Sequence, residues 1–245
     1  IGMKKKPILN VGIMTGTCIH FVLETSYHHN NNMLAQGAYK IEQKGSKFIL
    51  QGGDIFIITE DEIALIPIFR TNSFLLRDVT IGKEFHWEKK EDQRFTGGLR
   101  FIRENGKIRV INTIHLEDYL KSVISSEMSA HSSAELLKAH AVISRSWLLA
   151  QTEKKKLQEA KPGQYSSEYI GEEEIIRWYD REDHTGFDVC ADDHCQRYHG
   201  ITKIISSQAS DAVKETMGEV LWTDQGICDA RFSKCCGGIT ESFEN

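Results

Sequence analysis

The sequence predicts an α+β fold in which mixed β regions surround a hairpin of two helices. Three observations predict it. Short runs of Ile, Val, Phe and Leu, separated by Gly, Asn and charged residues, fill the first hundred positions. Asn105-Gly106, the strongest short hairpin signal, lies between two such runs. Beyond residue 115 the apolar residues switch to the i, i+3, i+4 spacing of a helix face.

In chain order, the expected strands are 8–13, 48–51, 55–59 and 63–69, followed by a hairpin of 99–103 and 107–111. His28-His29-Asn30-Asn31-Asn32 reads as a polar loop, because its adjacent histidines have no third metal ligand close in sequence. The first helix covers Leu116 to Met128, with Leu116, Tyr119, Leu120, Val123 and Ile124 on one face. A second begins near Ser132, where Ser132-Ser133-Ala134-Glu135 fits a capping box, and runs through Leu149. From Gln151 to Gly186 the chain carries Lys154-Lys155-Lys156, Pro162-Gly163 and Glu172-Glu173-Glu174, a charged stretch expected to be solvated loop or a flap. The chain divides at this level into a β-rich part, 1–95, and a core, 96–245.

Composition sets outer limits. The 245 residues, 40% of them hydrophobic, suffice for a folded core, and a net charge of −5 without a basic face argues against nucleic acid as a partner. No stretch approaches the roughly 20 continuous apolar residues a membrane-spanning helix needs. Met3-Lys4-Lys5-Lys6-Pro7 resembles the charged start of a secretory signal, but Asn10, Gly12, Thr15 and Gly16 interrupt the apolar region that should follow. Six cysteines suit either redox compartment.

Two groups of residues carry chemistry. Glu127 continues the apolar stripe of the first helix, so its carboxyl points toward the core side, where burial would favour the protonated form of a proton donor. A helix-end glutamate leaning into solvent is the plainer alternative. The second group is His184, Cys190, His194 and Cys195, two thiols and two imidazoles within twelve residues. These are the ligand types of a tetrahedral zinc site, although a disulfide or two buried thiols would use the same cysteines. His194 and Cys195 would point apart on a regular strand, so both can face one ion only from a turn.

Asn112 to Met128 together with Leu137 to Trp147 resembles the central motif of the SpoIID/LytB family: an Asn, a Leu-Glu-x-Tyr-Leu helix, Glu-Met-Pro, then Leu-Lys-Ala-Gln-Ala and Ala-Arg-Thr-Tyr. Here Ser129 replaces the Pro, His140 the Gln, and Ser144-Arg145-Ser146-Trp147 the last run. The segment Cys190 to Gly200 resembles the family's Cys-x-x-x-His-Cys-Gln-x-Tyr-x-Gly, with His184 six residues upstream. Ala212 to Gly218 and Ser233 to Glu241 resemble its Ala-Val-x-x-Thr-x-Gly strand and Ser-x-x-x-Gly-Gly-x-Thr-Glu end.

The resemblance implies a peptidoglycan lytic transglycosylase with Glu127 as its single acid and base, acting on glycan strands stripped of peptides. It also implies zinc on His184, Cys190, His194 and Cys195, in a structural or site-shaping role, and substrate contacts from Arg145, Tyr198, Ser233 and Thr240. Glu117, Asp118 and Asp192 are the candidate second acids should the enzyme hydrolyse instead. The LytB branch implies a different role, a noncatalytic wall-binding enhancer of an N-acetylmuramoyl-L-alanine amidase. A zinc-dependent hydrolase is a third reading, which four filled ligand positions count against. An extracytoplasmic location is implied, with the native signal or anchor absent from this chain and the C-terminal end of the core incomplete.

Overall fold

A computed structural model of the chain describes residues 7–82, 86–128, 132–160, 168–171, 175–177, 184–204, 207–224, 226–233 and 237–238. The first strands are β1 (Ile8–Gly16), β2 (Cys18–Leu23), β3 (Tyr27–His29), β4 (Asn32–Leu34), β5 (Gly37–Lys44) and β6 (Lys47–Gly52). They continue with β7 (Ile55–Thr59), β8 (Ile63–Pro67), β9 (Ser73–Ile81), β10 (Lys89–Thr96), β11 (Gly98–Glu104) and β12 (Lys107–His115). Helices α1 (Leu116–Glu127) and α2 (Ala134–Ala160) come next, then β13 (Glu168–Ile170), β14 (Ile175–Arg177) and β15 (Val189–Cys190). Helix α3 (Ser207–Glu215) and the short strands β16 (Trp222–Thr223) and β17 (Gly226–Ile227) follow.

The strands form a seven-stranded sheet, ordered β15-β1-β12-β11-β8-β3-β4, and a six-stranded sheet, ordered β10-β9-β2-β5-β6-β7. Strands from both sides of residue 96 share the larger sheet. Phe21 of the smaller sheet meets Phe101 of the larger with ring centroids 5.3 Å apart, so the inward faces of the two sheets supply one apolar core. With three helices beside the sheets, the architecture is the expected α+β one.

The expected strands all form, and Asn105 (φ 49°) and Gly106 (φ 74°) make the left-handed turn between β11 and β12. The histidine-rich loop is a correction. Tyr27–His29 pairs with Asn32–Leu34 around Asn30, whose φ of 51° an asparagine tolerates, and buried His29 directs Nδ1 to the Ala64 carbonyl at 3.1 Å. Besides β3 and β4, the strands β2, β5, β9 and β10 of the first hundred residues add to those expected; apart from the buried Gln93, most of their polar residues face outward between the core positions.

Helix α1 buries Leu116, Tyr119, Leu120, Val123 and Ile124, the face that the spacing predicts. Ser133 begins α2, its Oγ accepting from the Leu136 N–H at 3.3 Å, one residue later than the expected cap. The helix then continues to Ala160, well past Leu149. The charged residues beyond Gln151 are strong helix formers, and no breaker occurs before Pro162. Helix α3 packs against both α1 and α2, so the helices make a group of three rather than a hairpin alone.

One buried polar residue ties these parts together. Asn112 donates from Nδ2 to the carbonyls of Thr96 and Gly98, each at 2.9 Å, and accepts at Oδ1 from the Tyr198 hydroxyl at 2.6 Å. Both carbonyls flank Gly97, whose φ of 88° and closeness to the Thr113 carbonyl leave no room for a Cβ. Replacing Asn112 by Leu leaves two buried carbonyls and a buried hydroxyl unpaired. It should lower the stability by about 3 kcal/mol, read as a lower urea midpoint at an unchanged slope.

Candidate functional site

Glu127 ends α1 and faces a cleft of about 340 Å³ lined by Trp147, Asp193, His194, Cys195, Arg197, Arg231 and Phe232. Its carboxylate is half-buried, and Oε1 accepts the backbone N–H of Arg197 at 2.8 Å. The Arg197 guanidinium turns back on Asp193 and lies over the Trp87 ring, 5.2 Å from its centroid. Two guanidinium groups and two aromatic rings therefore share the wall with half-buried Glu127 and with Asp193, which is paired to Arg197.

Helix α1 holds the segment 196–199 along its length. The Tyr119 hydroxyl donates to Gln196 Oε1 at 3.3 Å, and Gln196 Nε2 donates to the Ser144 carbonyl of α2 at 3.3 Å. The Ser122 hydroxyl accepts the His199 N–H at 3.2 Å, and the Tyr119 and Tyr198 rings stack at 4.9 Å. Glu127 makes the last of these contacts.

Immediately before that segment, His184, Cys190, His194 and Cys195 direct one ligand atom each into a common space, all within 4.8 Å of one another. His184 Nε2 lies 3.3 Å and His194 Nδ1 3.6 Å from Cys195 Sγ, with Cys190 Sγ 3.9 Å from His194 Nδ1. The turn required to aim His194 and Cys195 together is present, closed by the Cys195 N–H on the Asp192 carbonyl at 3.0 Å. The Cys195 thiol beside it holds the Cys190 thiol far below its ordinary value, and His184 adds to this against the opposing effect of burial.

The loop is built onto the sheet edge. Val189 and Cys190 pair in parallel with Val11 and Gly12, and Asn10 N–H donates to the Asp188 carboxylate at 2.8 Å. Gly12 has no Cβ because Phe187 occupies that space, 2.6 Å from where one would stand, and the Phe187 ring stacks on His184 at 4.5 Å. From the other side Lys155, in the stretch expected to be solvated, donates to the carbonyls of His184 at 3.0 Å and Phe187 at 2.8 Å.

The residues expected to touch substrate are placed differently. Arg145 is fully buried, its guanidinium donating to both carboxylate oxygens of Glu117 at 3.1 and 2.8 Å and to the Glu219 carbonyl at 3.0 Å. It locks α1, α2 and the chain after α3 together, and it does not reach the cleft. Tyr198 is buried as well, its hydroxyl spent on Asn112. Ser233 is exposed next to the cleft residue Phe232, and Thr240 lies outside the described residues. Of the alternative acids, Glu117 is paired with Arg145 and Asp118 with Arg70 and Lys121, at the opposite end of α1 from Glu127. Asp193, rather than Asp192, lines the cleft. Arg231 and Phe232 carried no sequence signal, and Trp147 only its place at the end of the motif run Ser144 to Trp147, since all three meet Glu127 through the tertiary fold.

With this geometry in view, residues 104–222 match the family described as Stage II sporulation protein, SpoIID. The chain carries a SpoIID-family domain. An uncharacterised protein of Brachyspira hyodysenteriae is 29% identical over 151 residues, covering 62% of this chain and 34% of that protein. The chain thus spans about a third of the length of the curated relative it matches. No solved structure matches. The SpoIID match covers α1, α2, the Cys/His loop and α3, so the elements that make the cleft also carry the family signal. Arg231 and Phe232 fall beyond it.

Two outcomes follow from the buried groups. Truncating Glu117 to Ala strands the Arg145 charge in the interior and should cost about 3–5 kcal/mol, whereas replacing both partners by apolar residues should cost much less, measured by chemical denaturation. His140, buried in α2, has its imidazole pushed by desolvation from 6.5 down to about 4. The unfolded chain then takes up a proton before the folded one does. Stability should therefore fall as pH drops from about 6.5 toward 4, by at most about 3 kcal/mol, and a His140→Gln variant should lack that component of the slope in paired thermal scans.

Proposed function

We propose that this chain is a peptidoglycan lytic transglycosylase working in the cell envelope, with Glu127 as acid and then base. The observation that carries the reading is the half-buried carboxylate at the end of α1, fixed through one oxygen by the Arg197 amide, in a cleft that bears aromatic rings and guanidinium groups and whose other carboxylate, Asp193, is paired with Arg197. Membership of the SpoIID family supports a cell-wall role. No helix among the described residues is long and apolar enough to cross a membrane.

The Arg197 N–H occupies Oε1, which leaves Oε2 as the oxygen for proton transfer. Protonated Glu127 gives its proton to the oxygen joining N-acetylmuramic acid to N-acetylglucosamine, and that C–O bond breaks. The resulting carboxylate removes the proton from the muramic C6 hydroxyl as its oxygen bonds to C1. The products are a 1,6-anhydro end and a free 4-hydroxyl, with no water consumed. One acid is enough, unlike the carboxylate pair of most hydrolysing glycosidases. Trp147 and Phe232 offer faces for sugar rings, and Arg231 a cation for a lactyl carboxylate.

His184, Cys190, His194 and Cys195 would hold a zinc ion. Bonds of about 2.3 Å to sulfur and about 2.0 Å to nitrogen in a tetrahedron set neighbouring ligand atoms roughly 3.3–3.8 Å apart; separations of 3.3, 3.6 and 3.9 Å in this cluster lie in or close to that range, and all four atoms are within 4.8 Å of one another. Four protein ligands fill a tetrahedron, so the ion would shape the loop. Its removal would loosen residues 190–197 and with them the amide that orients Glu127.

Incubation with peptide-free glycan strands, followed by mass spectrometry, tests the activity. Anhydromuramic ends should form and should fall by about 100-fold or more with Glu127→Gln. Reducing ends instead would mean hydrolysis, with Asp193 as the second acid to examine. Strand binding without cleavage would point to the noncatalytic amidase-enhancing role. For the metal, Cys190→Ser and Cys195→Ser should each lower zinc content below one per chain by elemental analysis, and the melting temperature with it.

A further inference from the structure

His140, Ser144 and Trp147 lie on one face of α2, spaced by four and then three residues. Trp147 lines the Glu127 cleft. Behind it, Ser144 Oγ and both ring nitrogens of His140 are buried, and none has a hydrogen-bond partner among the described residues. Buried polar atoms nearly always find one, so three unpaired atoms within two turns behind one cleft wall need an explanation. Phe232 lies beside His140 and on the cleft wall. Its ring meets His140 edge to face at 4.8 Å and itself lines the cleft with Glu127.

We propose that His140 and Ser144 form a subsite for the acetamido group of an N-acetylated sugar, opened when the Phe232 ring turns aside. The inference rests on the glycan reading above and names the substituent by which this cleft selects its glycan. An acetamido group presents one N–H donor, one carbonyl acceptor and a methyl. A neutral imidazole offers one acceptor and one donor, and the Ser144 hydroxyl can serve as either. Burial keeps His140 neutral at the pH where it would work. The methyl would rest against the Phe232 and Trp147 rings. A deacetylated sugar would bring an ammonium group to two residues that can accept only two hydrogen bonds and supply no anion, an incomplete exchange for its hydration. Nothing in the Glu127 chemistry requires His140, so the two functions can be separated.

Calorimetry with the N-acetylglucosamine tetramer and with its fully deacetylated counterpart is the test, made on wild type, His140→Gln and His140→Leu with melting temperatures recorded. Wild type should prefer the acetylated tetramer by at least about tenfold. His140→Gln, which keeps a donor and an acceptor, should retain most of that preference; His140→Leu, of similar apolar bulk, should lose it. A preference undiminished in His140→Leu, or none in wild type, overturns the subsite and leaves the glycan reading standing. Binding of neither tetramer overturns both. Should His140→Leu fail to fold, the ring-nitrogen resonances of His140 in wild type decide. Their movement with the acetylated tetramer alone supports the subsite, and their indifference means that the space holds water only.

Discussion

The hydrogen bond from the Arg197 amide to Glu127 is the contact on which the site depends. It joins the last residue of a helix packed on the core to a loop that has little regular structure. A loop amide can stay in hydrogen-bonding position only if both sides of it are held. Upstream, the His184–Cys195 cluster gathers the chain into a tight turn, anchored to the sheet edge by β15 and to α2 by Lys155. Downstream, Tyr198 is locked between Asn112, Phe95 and Tyr119. The acid is thus placed by parts of the fold up to a hundred residues away in sequence.

This arrangement explains why the buried residues of the motif are polar. Asn112, Arg145, Tyr198 and Gln196 do not reach the cleft; they pair with one another, with the side chains of Glu117 and Tyr119, or with backbone, and their bonds set the mutual position of sheet, helices and loop. Hydrogen bonds with directional partners admit fewer arrangements than apolar contact of the same area, which suits a site that must hold a carboxyl and an amide in register. The same reasoning makes the unpaired His140 conspicuous. Its two ring nitrogens and the neighbouring Ser144 Oγ are buried close to these matched groups without partners among the described residues.

Periodicity put Glu127 on the side of α1 that buries Leu116, Tyr119, Leu120, Val123 and Ile124 but left open a carboxyl leaning into solvent, and only the motif resemblance singled it out. The hairpin at Asn105-Gly106 and the expected strands of the first hundred residues were legible, since local turn chemistry and alternation fix them. The clustering of the two cysteines and two histidines followed from ligand type and short spacing. What local sequence did not show was direction and partnership. Arg145 shares its helix face with the buried Ala141 and Leu148, a pattern that in retrospect points it inward, yet its partner Glu117 lies 28 residues away. Trp147, Arg231 and Phe232 come to Glu127 from separate segments, and β1 meets β12 across most of the first hundred residues. Helix α2 runs past the expected end because a charge run does not distinguish a solvated loop from a helix, and Lys155 uses its length to reach two loop carbonyls.

The measurement that bears most directly on this account is amide hydrogen exchange at Arg197, followed by NMR with zinc bound to the Cys/His cluster and again after its removal. If the cluster holds the loop against the acid, the Arg197 amide exchanges slowly with zinc bound and much faster without it, while core amides of β12 and α1 stay protected. Equal protection of the Arg197 amide in both states would contradict the account, because Glu127 would then be oriented without help from the cluster.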